Sequence, residues 1–494
     1  MNKKINDALQ EIRSEYITDA AAVRKRRPYW IAAVAAALAA VILLTSFPGA
    51  ASAHPTEPFL QETLPRGTGI VSPDSLVLAN LVAGPYYPEM VQMPNYSEYN
   101  NDYAAYSEAY QLWYQDQKDR YDQPDGYADS LTGFFAETMA QFLGGDENKT
   151  YSPLNVYLAL AMLAETTGGN SRQQILDLLG LATIQELRQQ ASLVWNAHYS
   201  DDGETTLLMA NSLWLDEAFS FEQDTADTLA SDYYASVFSG DLGTDALNEQ
   251  LQAWLNANTG GLLTEQAENV ELDPYTVFAL ASTMYFSASW NSEFSENKTE
   301  TDTFHGVDGD TQADFMNRSY TAYTYFRGSN FGAIRLYLSG DNKMWLILPD
   351  EGYTVEDVLE SSEYVELTLD PAAWENKAVY DVNLSLPKFD IAYQQDLIEG
   401  MKSLGVTDIF DDSISDFTPM TATPNLYVSQ INHAARVAID EEGCIAAAFT
   451  VMGMAGTGMP QPLEELDFVL DRPFLFVVSS RDNLPLFAGT VLEP

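Results

Sequence analysis

The stretch Glu441-Glu442-Gly443-Cys444-Ile445-Ala446-Ala447-Ala448-Phe449-Thr450 has the most unusual pattern in the 494-residue chain. An acidic pair and a glycine lead into small apolar residues, and a glycine-dotted tract then runs on to about Asp471. Every second residue from Cys444 to Thr450 is small, and a strand places alternate residues on one face. The stretch therefore suits a strand in a crowded interior, whereas the glycines and prolines beyond it favour a loop. This combination predicts a segment that switches from loop to strand.

With Asp471-Arg472-Pro473-Phe474 further on, the stretch resembles the hinge and reactive-centre loop of the serpin family. Other motifs typical of the family follow in family order: Tyr151-Ser152-Pro153-Leu154-Asn155, Trp290, Leu386-Pro387-Lys388-Phe389, Leu404-Gly405-Val406-Thr407-Asp408, His433 and Leu486-Phe487-Ala488-Gly489. The resemblance covers roughly residues 130–494. It implies an α+β fold of three mostly antiparallel β-sheets, about eight or nine helices and an exposed loop. Helical patterns early in the chain and strand patterns late agree with that class.

The resemblance implies a suicide-substrate inhibitor rather than an enzyme. A target serine protease would attack the loop, form a covalent acyl-enzyme, and be trapped when the loop inserts into a β-sheet. Residues 441–450 would form the hinge, in which Cys444, Ala446, Ala448 and Thr450 are small enough to enter. Trp290 and His433 match family positions near the loop-entry point and are expected to be structural, not catalytic. No cofactor and no metal are implied.

The family offset from Gly443 places the reactive bond near Thr457-Gly458, but the loop is a few residues longer than usual. Met452 and Met454 are therefore alternatives. The chain has no Lys or Arg between Arg436 and Arg472, so a protease with an acidic specificity pocket finds no anchor. The expected targets are serine proteases of elastase, subtilisin or chymotrypsin type.

Two other functions stay open at this point. A non-inhibitory serpin could use the fold for binding, although such members usually carry charged or proline-containing hinges. A membrane sensor with a serpin-like ectodomain could report loop cleavage to the cell interior. Departures from the family also occur near the strand gap, where Ser282 stands in place of the usual Asn and Ser287-Ala288 in place of Lys-Gly.

The composition excludes several classes of function. The net charge is −48, from 72 acidic and 24 basic residues, which argues against nucleic-acid binding and favours a soluble, self-repelling monomer. The single cysteine, Cys444, excludes an intrachain disulfide and a cysteine-built zinc site. The chain contains no HExxH, GxSxG or P-loop motif.

The N-terminal region predicts export. Residues 1–27, which end in Arg24-Lys25-Arg26-Arg27, are predicted to be a cytoplasmic tail, and the uncharged run 29–47 is long enough to cross a bilayer as a helix. Residues 28–48 are thus an anchor or signal segment, with a possible cleavage site after Ala53. The remainder would lie on the extracellular side of the membrane, as a single-pass protein, or be secreted if cleaved. The basic, alanine-rich N-terminus favours a bacterial source.

Two regions would follow the membrane segment. Residues 49–128 are rich in proline and tyrosine and are predicted to form a stalk and an extension. An aromatic helix in the extension, with Tyr103, Tyr106, Tyr110 and Trp113, would lay its stripe on the main domain. The serpin domain itself would span residues 129–494.

Overall fold

The structure is a computed structural model that describes residues 35–45, 80–88, 90–100, 102–124, 126–203, 205–443 and 463–494. The α-helices in these ranges are α1 (Tyr103–Tyr121), α2 (Leu131–Leu143), α3 (Pro153–Thr166), α4 (Gly169–Leu178), α5 (Ile184–His198), α6 (Gln223–Asp232), α7 (Asp245–Asn258), α8 (Thr264–Glu268), α9 (Val355–Leu359), α10 (Glu363–Leu369) and α11 (Ile398–Ser403). The strands are β1 (Ala35–Thr45), β2 (Asn80–Ala83), β3 (Lys149–Tyr151), β4 (Ser200–Asp201), β5 (Thr206–Asp216), β6 (Ala235–Gly240), β7 (Thr276–Ser287), β8 (Thr299–Gly306), β9 (Gly309–Arg327), β10 (Phe331–Tyr337), β11 (Lys343–Pro349), β12 (Lys377–Pro387), β13 (Phe389–Asp396), β14 (Tyr427–Ile439), β15 (Glu465–Val469), β16 (Phe474–Ser479) and β17 (Pro485–Val491).

The large sheet has the strand order β13-β14-β1-β7-β5-β6-β2, and β4 pairs with β5. β7 pairs antiparallel with β5 along most of its length, from Thr206 opposite Ser287 to Leu215 opposite Phe278. β1 lies between β7 and β14 and runs antiparallel to both. We call this place between β7 and β14 the central strand position.

The other strands form two sheets that are joined at one corner. β8, β9, β12 and β15 make up one of them, and β10, β11, β16, β17 and β3 make up the other. They connect where Phe326 and Arg327, at the end of β9, pair with Ala333 and Gly332 of β10. The three-sheet α+β architecture is thus confirmed. The described residues hold eleven α-helices rather than eight or nine, because α1 precedes the matched region and short helices such as α8 add to the number.

Helix α3 forms the centre of the core. Ser152 caps its N-terminus, since its side-chain oxygen accepts a hydrogen bond from the Asn155 amide, and Pro153 occupies the first turn. All of its residues are buried, as the apolar sequence on every face predicts. The helix packs behind β7 and against β17, so its N-terminal end lies beside the central strand position.

The middle of the predicted transmembrane segment forms a strand here. Residues 35–45 are paired in the large sheet as β1, and within the described ranges we find no helix long and apolar enough to cross a membrane. The difference has a simple physical basis. A continuous apolar run suits either a membrane helix or a strand with a layer on each of its faces, and its sequence pattern does not separate the two.

The aromatic helix α1 exists, but its stripe is mostly not buried. Trp113 and Gln117 are its buried residues, whereas 70% of Tyr103 and 54% of Tyr114 are exposed. The tyrosines contact one another instead, as in the Tyr106–Tyr110 pair at 6.2 Å between ring centroids. The prediction that the aromatic stripe lies on the main domain was therefore wrong for most of its tyrosines, because α1 contacts the domain mainly through its C-terminal half, from Trp113 to Tyr121.

Candidate functional site

The hinge begins with a tight turn after β14. At Gly443 the backbone has φ +85°, and a Cβ atom there would lie 2.3 Å from the Trp290 backbone nitrogen. Gly443 also bridges to Ser289, just beyond the end of β7, in the antiparallel sense. Only glycine satisfies both the left-handed backbone and this close approach. The turn consequently ends with Gly443 paired beside the end of β7.

Trp290 holds this turn from the opposite side. Its indole Nε1 donates a hydrogen bond to the Asp440 carbonyl at 2.8 Å, and its backbone nitrogen donates to the Glu442 carbonyl at 3.3 Å. The ring packs edge-on against Phe294, with 5.9 Å between centroids. Trp290 is thus packed and hydrogen-bonded against the turn at 440–443, and its role at a loop-entry point stays a prediction.

Glu441 forms hydrogen bonds with two segments that are distant in sequence. Its carboxylate accepts hydrogen bonds from Thr299 Oγ1 at 2.6 Å and from Lys388 Nζ at 3.1 Å. Burial raises the pKa of Glu441, but these hydrogen bonds outweigh it and the net shift of the pKa is downward. The sequence analysis did not assign Thr299 or Lys388 to the hinge, although Lys388 belongs to a motif that it had singled out.

Asp440 was missed by the sequence analysis. Burial, together with the neighbouring Glu442 and Glu441 carboxylates, raises its pKa to about 7, although hydrogen bonds from backbone amides oppose the shift. One of these donors is the Glu442 amide, at 3.0 Å from Asp440 Oδ1. The signal in the sequence was the run of three acids at 440–442, in which like charges oppose ionisation.

His433 lies in β14 and is fully buried. Its Nε2 accepts a hydrogen bond from the Ser152 amide at 3.2 Å, and its ring packs against Tyr151 at 5.1 Å. Burial lowers the pKa of His433 to about 3, so the imidazole is neutral at ordinary pH. The histidine therefore links the central strands to the N-terminus of α3 and has no partner arrangement for catalysis among the described residues.

The serine that replaces the family's usual asparagine is compensated by a side chain on α3. Ser282 Oγ donates to Asn155 Oδ1 at 2.6 Å, and Asn155 Nδ2 donates to the Ser282 carbonyl at 3.3 Å. Both residues are fully buried. The polar groups in this part of β7 are thereby satisfied within the protein, which limits the cost of the departure.

In this structure β1 occupies the central strand position. Its residues pair with β7 from Ala35 to Thr45 and with β14 from Ala37 to Thr45. Ala40 lies in register with Ser282 on one side and with His433 on the other. The strand position next to the hinge is thus filled by the N-terminal segment of the same chain.

The other predicted loop residues are Cys444, Ile445, Ala446, Ala447, Ala448, Phe449, Thr450, Met452, Met454, Thr457 and Gly458, and they lie outside the described residues. The structure resumes at Leu463, and β15 begins at Glu465 in parallel pairing with β12. The two ends of the predicted loop therefore belong to different sheets.

Comparison with known proteins identifies the family. The family model "Serpin (serine protease inhibitor)" matches residues 131–494, so the chain belongs to the serpin family. Serpin-ZX of Arabidopsis thaliana is 29% identical over 369 residues, which cover 71% of this chain and 93% of that protein. Serpin-ZXA of Oryza sativa subsp. japonica is 30% identical over 371 residues, with 71% and 91% covered. These relatives are plant proteins, and a bacterial source stays a prediction.

Solved structures show the same fold. The thermophilic serpin tengpin in its native state superposes with a TM-score of 0.65 at 25% identity, over 76% of this chain and 95% of tengpin. Arabidopsis AtSerpin1, in its native stressed conformation, has a TM-score of 0.64 at 26% identity, over 75% and 100% of the two chains. The N-terminal quarter of the chain, including β1 and α1, lies before the region that the family model covers.

Proposed function

We propose that this serpin inhibits serine proteases by inserting its cleaved loop into the central strand position, and that it is not itself an enzyme. The observation that carries the proposal is the pairing of Gly443 with Ser289 at the end of β7. Because strand pairing proceeds one residue at a time, this bridge would set the register of the residues that follow Gly443 if they paired with β7. The register can be compared residue by residue with the sequence.

If this register continues along β7, the small residues would lie on the crowded side of the sheet, which faces α3. Ala446 would lie opposite Phe286, Ala448 opposite Met284 and Thr450 opposite Ser282. These β7 residues face α3, as the contacts of Ser282 with Asn155 and of Met284 with Ser152 indicate. The bulky Ile445 and Phe449 would point to the other face, because side chains alternate along a strand.

The same register supports the Thr457-Gly458 bond. Gly456 would reach Thr276, the first residue of the 12-residue β7, so an acylated Thr457 would lie just past the far end of the sheet. A strand of that length spans about 40 Å. A protease attached to Thr457 would therefore be carried from one end of the sheet to the other. Cleavage after Met452 or Met454 would leave an inserted segment that stops short of Thr276.

The target is a serine protease that accepts small or medium apolar residues, of elastase, subtilisin or chymotrypsin type. The loop offers no Lys or Arg to an acidic specificity pocket. The acidic surface would favour encounter with positively charged proteases and leaves no basic patch for nucleic acid. The inhibitor would act as a monomer that forms a covalent complex with its target.

Incubation of residues 54–494 with an elastase-type and a subtilisin-type protease tests this function. We expect an adduct of inhibitor and protease that survives a denaturing gel, and a released peptide that begins at Gly458 by mass spectrometry. Trypsin should form no adduct at this loop. Clean cleavage without an adduct would contradict the inhibitory mechanism, and a peptide that begins elsewhere would contradict the assigned bond.

A non-inhibitory role is the second candidate, and β1 favours it. A serpin whose central strand position is already filled cannot accept its own loop while that strand stays in place. Such a protein would be cleaved as a substrate or would serve as a binding protein. Heat resistance distinguishes the cases, because insertion of the cleaved loop should raise it, whereas a permanently filled sheet should gain nothing on cleavage.

For localisation, we propose that the protein is exported and held at the outer side of the membrane by residues 29–47, or secreted after cleavage following Ala53. The support is the uncharged run preceded by four consecutive basic residues. A sensor role of residues 1–27 would additionally require a cytoplasmic partner. Fractionation with an antibody against the serpin domain, before and after carbonate washing, would separate anchored from secreted protein.

A further inference from the structure

We propose that residues 35–45 are an internal blocker of the large sheet: the segment occupies the central strand position and must leave before the reactive loop can enter. The pairing of β1 with the sheet stands on the structure alone. Its consequence for protease trapping rests on the proposed inhibitory function. The two parts therefore need separate tests.

The blocker has strand partners on both sides. β1 is paired from Ala35 to Thr45 with β7 and from Ala37 to Thr45 with β14. Without it, β7 and β14 would each present an unpaired backbone edge in the middle of the sheet, and unpaired buried backbone groups are costly. Pairing in the same chain thus stabilises the sheet in the way that an added strand does.

The blocker and the inserted loop are mutually exclusive. A strand that follows β14 through the turn at Gly443 must run antiparallel to β14, and β1 has that direction already. Ala35 pairs with Ser287, which is the residue that Ile445 would face if the loop continued from the Gly443–Ser289 bridge. The two segments therefore compete for the same backbone groups from the first inserted residue onward.

The sequence of the segment suits the place. It is uncharged, its first half is mostly alanine, and larger aliphatic residues follow toward Leu44. The end with small residues is the one nearest the hinge, where the family also requires small side chains for entry. The segment belongs to the same chain as β7 and β14, so its pairing with them is intramolecular and does not depend on protein concentration.

The same residues belong to the run that we assign to the membrane. A segment that spans the bilayer as a helix cannot also pair with β7 and β14. Insertion into the membrane would thus keep the sheet open for the loop, whereas a chain released with this segment intact would block itself. Removal of the segment by cleavage after Ala53 would leave the sheet permanently open.

Disulfide trapping tests the pairing without any protease. In lipid-free full-length protein that carries Cys444→Ser, the pair Ala39→Cys and Ala434→Cys occupies opposed positions of β1 and β14. Opposed residues in an antiparallel ladder are about 4.5–5.5 Å apart between Cα atoms, within the reach of a disulfide. A second pair, Ala39→Cys with Thr283→Cys, tests the β7 side in the same way.

The matched control moves one cysteine along the same strand. Ala438 is buried on β14 to nearly the same extent as Ala434, with 6% and 5% exposed, but it lies about 13 Å further along the strand. We expect disulfides by non-reducing electrophoresis and mass spectrometry in the opposed pairs, and none with Ala438→Cys. Absence of the opposed disulfides, or equal formation with the displaced cysteine, would overturn the proposal.

Protease trapping tests the consequence. Ala40→Pro in the full-length chain removes a ladder donor in the middle of β1 and should release the segment, whereas Ala51→Pro lies beyond its end and serves as the control. If β1 vacates the sheet in one molecule in ten, Ala40→Pro should raise the trapped fraction of an elastase-type protease about tenfold. Equal trapping by Ala40→Pro, Ala51→Pro and the unaltered chain would overturn the blocking role.

The two arms separate the failure of this inference from the failure of the proposed function. Opposed disulfides without trapping in any variant would support the blocker and contradict the inhibitor. Trapping by the unaltered chain, with no opposed disulfide, would support the inhibitor and overturn the blocker.

Discussion

At the residue scale, the site depends on a few positions where backbone shape or burial leaves little choice. Gly443 has a left-handed conformation and lies against the Trp290 backbone, so both φ and space select glycine. His433 is buried between α3 and the central strands, and its Nε2 accepts a hydrogen bond from the Ser152 backbone amide. Both residues therefore have structural roles: Gly443 shapes the turn at the start of the hinge, and His433 links the sheet to α3.

Replacement of Gly443 by alanine should destabilise the hinge more than an equally left-handed glycine elsewhere. A non-glycine residue in this conformation costs roughly 1–2 kcal/mol, and the contact with Trp290 adds to it. Gly352→Ala is the control, because Gly352 has φ +88° but open space around its Cβ position. Denaturant midpoints measured by circular dichroism should fall further for Gly443→Ala, and equal losses would contradict the role of the contact.

The buried His433 predicts a loss of stability in acid. Its pKa is lowered in the folded state to about 3, while the unfolded chain has the ordinary value near 6.5. The stability is thus complete above about pH 6.5 and falls as the pH decreases toward 3, because the unfolded state binds the proton first. His433→Gln keeps an acceptor for the Ser152 amide. The loss of unfolding free energy between about pH 6.5 and pH 3 should be smaller in this variant by about 3–5 kcal/mol.

The matched control for the pH experiment is His305→Gln. His305 is exposed on β8, and the Asp310 carboxylate raises its pKa, so it does not share the acid sensitivity of a buried neutral imidazole. Free energies of unfolding would be compared between the variants and the unaltered protein at several pH values. An unchanged slope in His433→Gln would show that other groups cause the acid sensitivity.

At the element scale, the extension before the serpin domain is attached at well-defined places. β2 pairs with β6 and covers the edge of the large sheet, and Tyr87 stacks on Trp195 of α5 at 5.6 Å. Asp202, just before β5, accepts hydrogen bonds from the Gln117 side chain through its carboxylate and from the Met93 amide through its carbonyl. The extension therefore covers one edge and one end of the large sheet.

Trp113 should be the main apolar anchor of α1. Its side chain is 5% exposed, whereas the adjacent Tyr114 is 54% exposed. Trp113→Ala should loosen the extension, because removal of a buried tryptophan costs about 3–5 kcal/mol when the site cannot collapse. Limited proteolysis with identification of the cuts by mass spectrometry should show faster cleavage within residues 80–124 for Trp113→Ala than for Tyr114→Ala. Equal rates would contradict the anchoring role.

At the scale of the whole molecule, the protein combines one strand position with two candidate occupants. Gly443 pairs with Ser289 just beyond β7, so a loop inserted in that register would take the central strand position that β1 fills in this structure. The net charge of −48 acts over the whole surface and keeps copies of the protein apart, which suits a monomer that meets its target by diffusion. Inhibitory activity would then depend on whether β1 or the reactive loop occupies the central strand position.

Much of the fold could be predicted from short motifs. Ser152 with Pro153 is typical of a helix start and begins α3, and the apolar run after Thr276 is typical of a buried strand and forms β7. Leu251, Trp254 and Leu255 have helical spacing and are buried in α7. Such local patterns suffice because helix caps and buried strands depend on neighbouring residues. The contacts of Glu441 with Thr299 and Lys388 could not be predicted, since they join segments far apart in the chain.

By itself the sequence indicated the serpin family and predicted the hinge, because motifs and small-residue alternation are properties of the chain as written. Only the tertiary structure decided that residues 35–45 pair between β7 and β14 and that Gly443 pairs with Ser289, just beyond β7. The physical reason is that an apolar run can be removed from water either as a helix in a bilayer or as a strand paired between two others. The choice depends on whether the folded protein offers those edges, and β7 and β14 do.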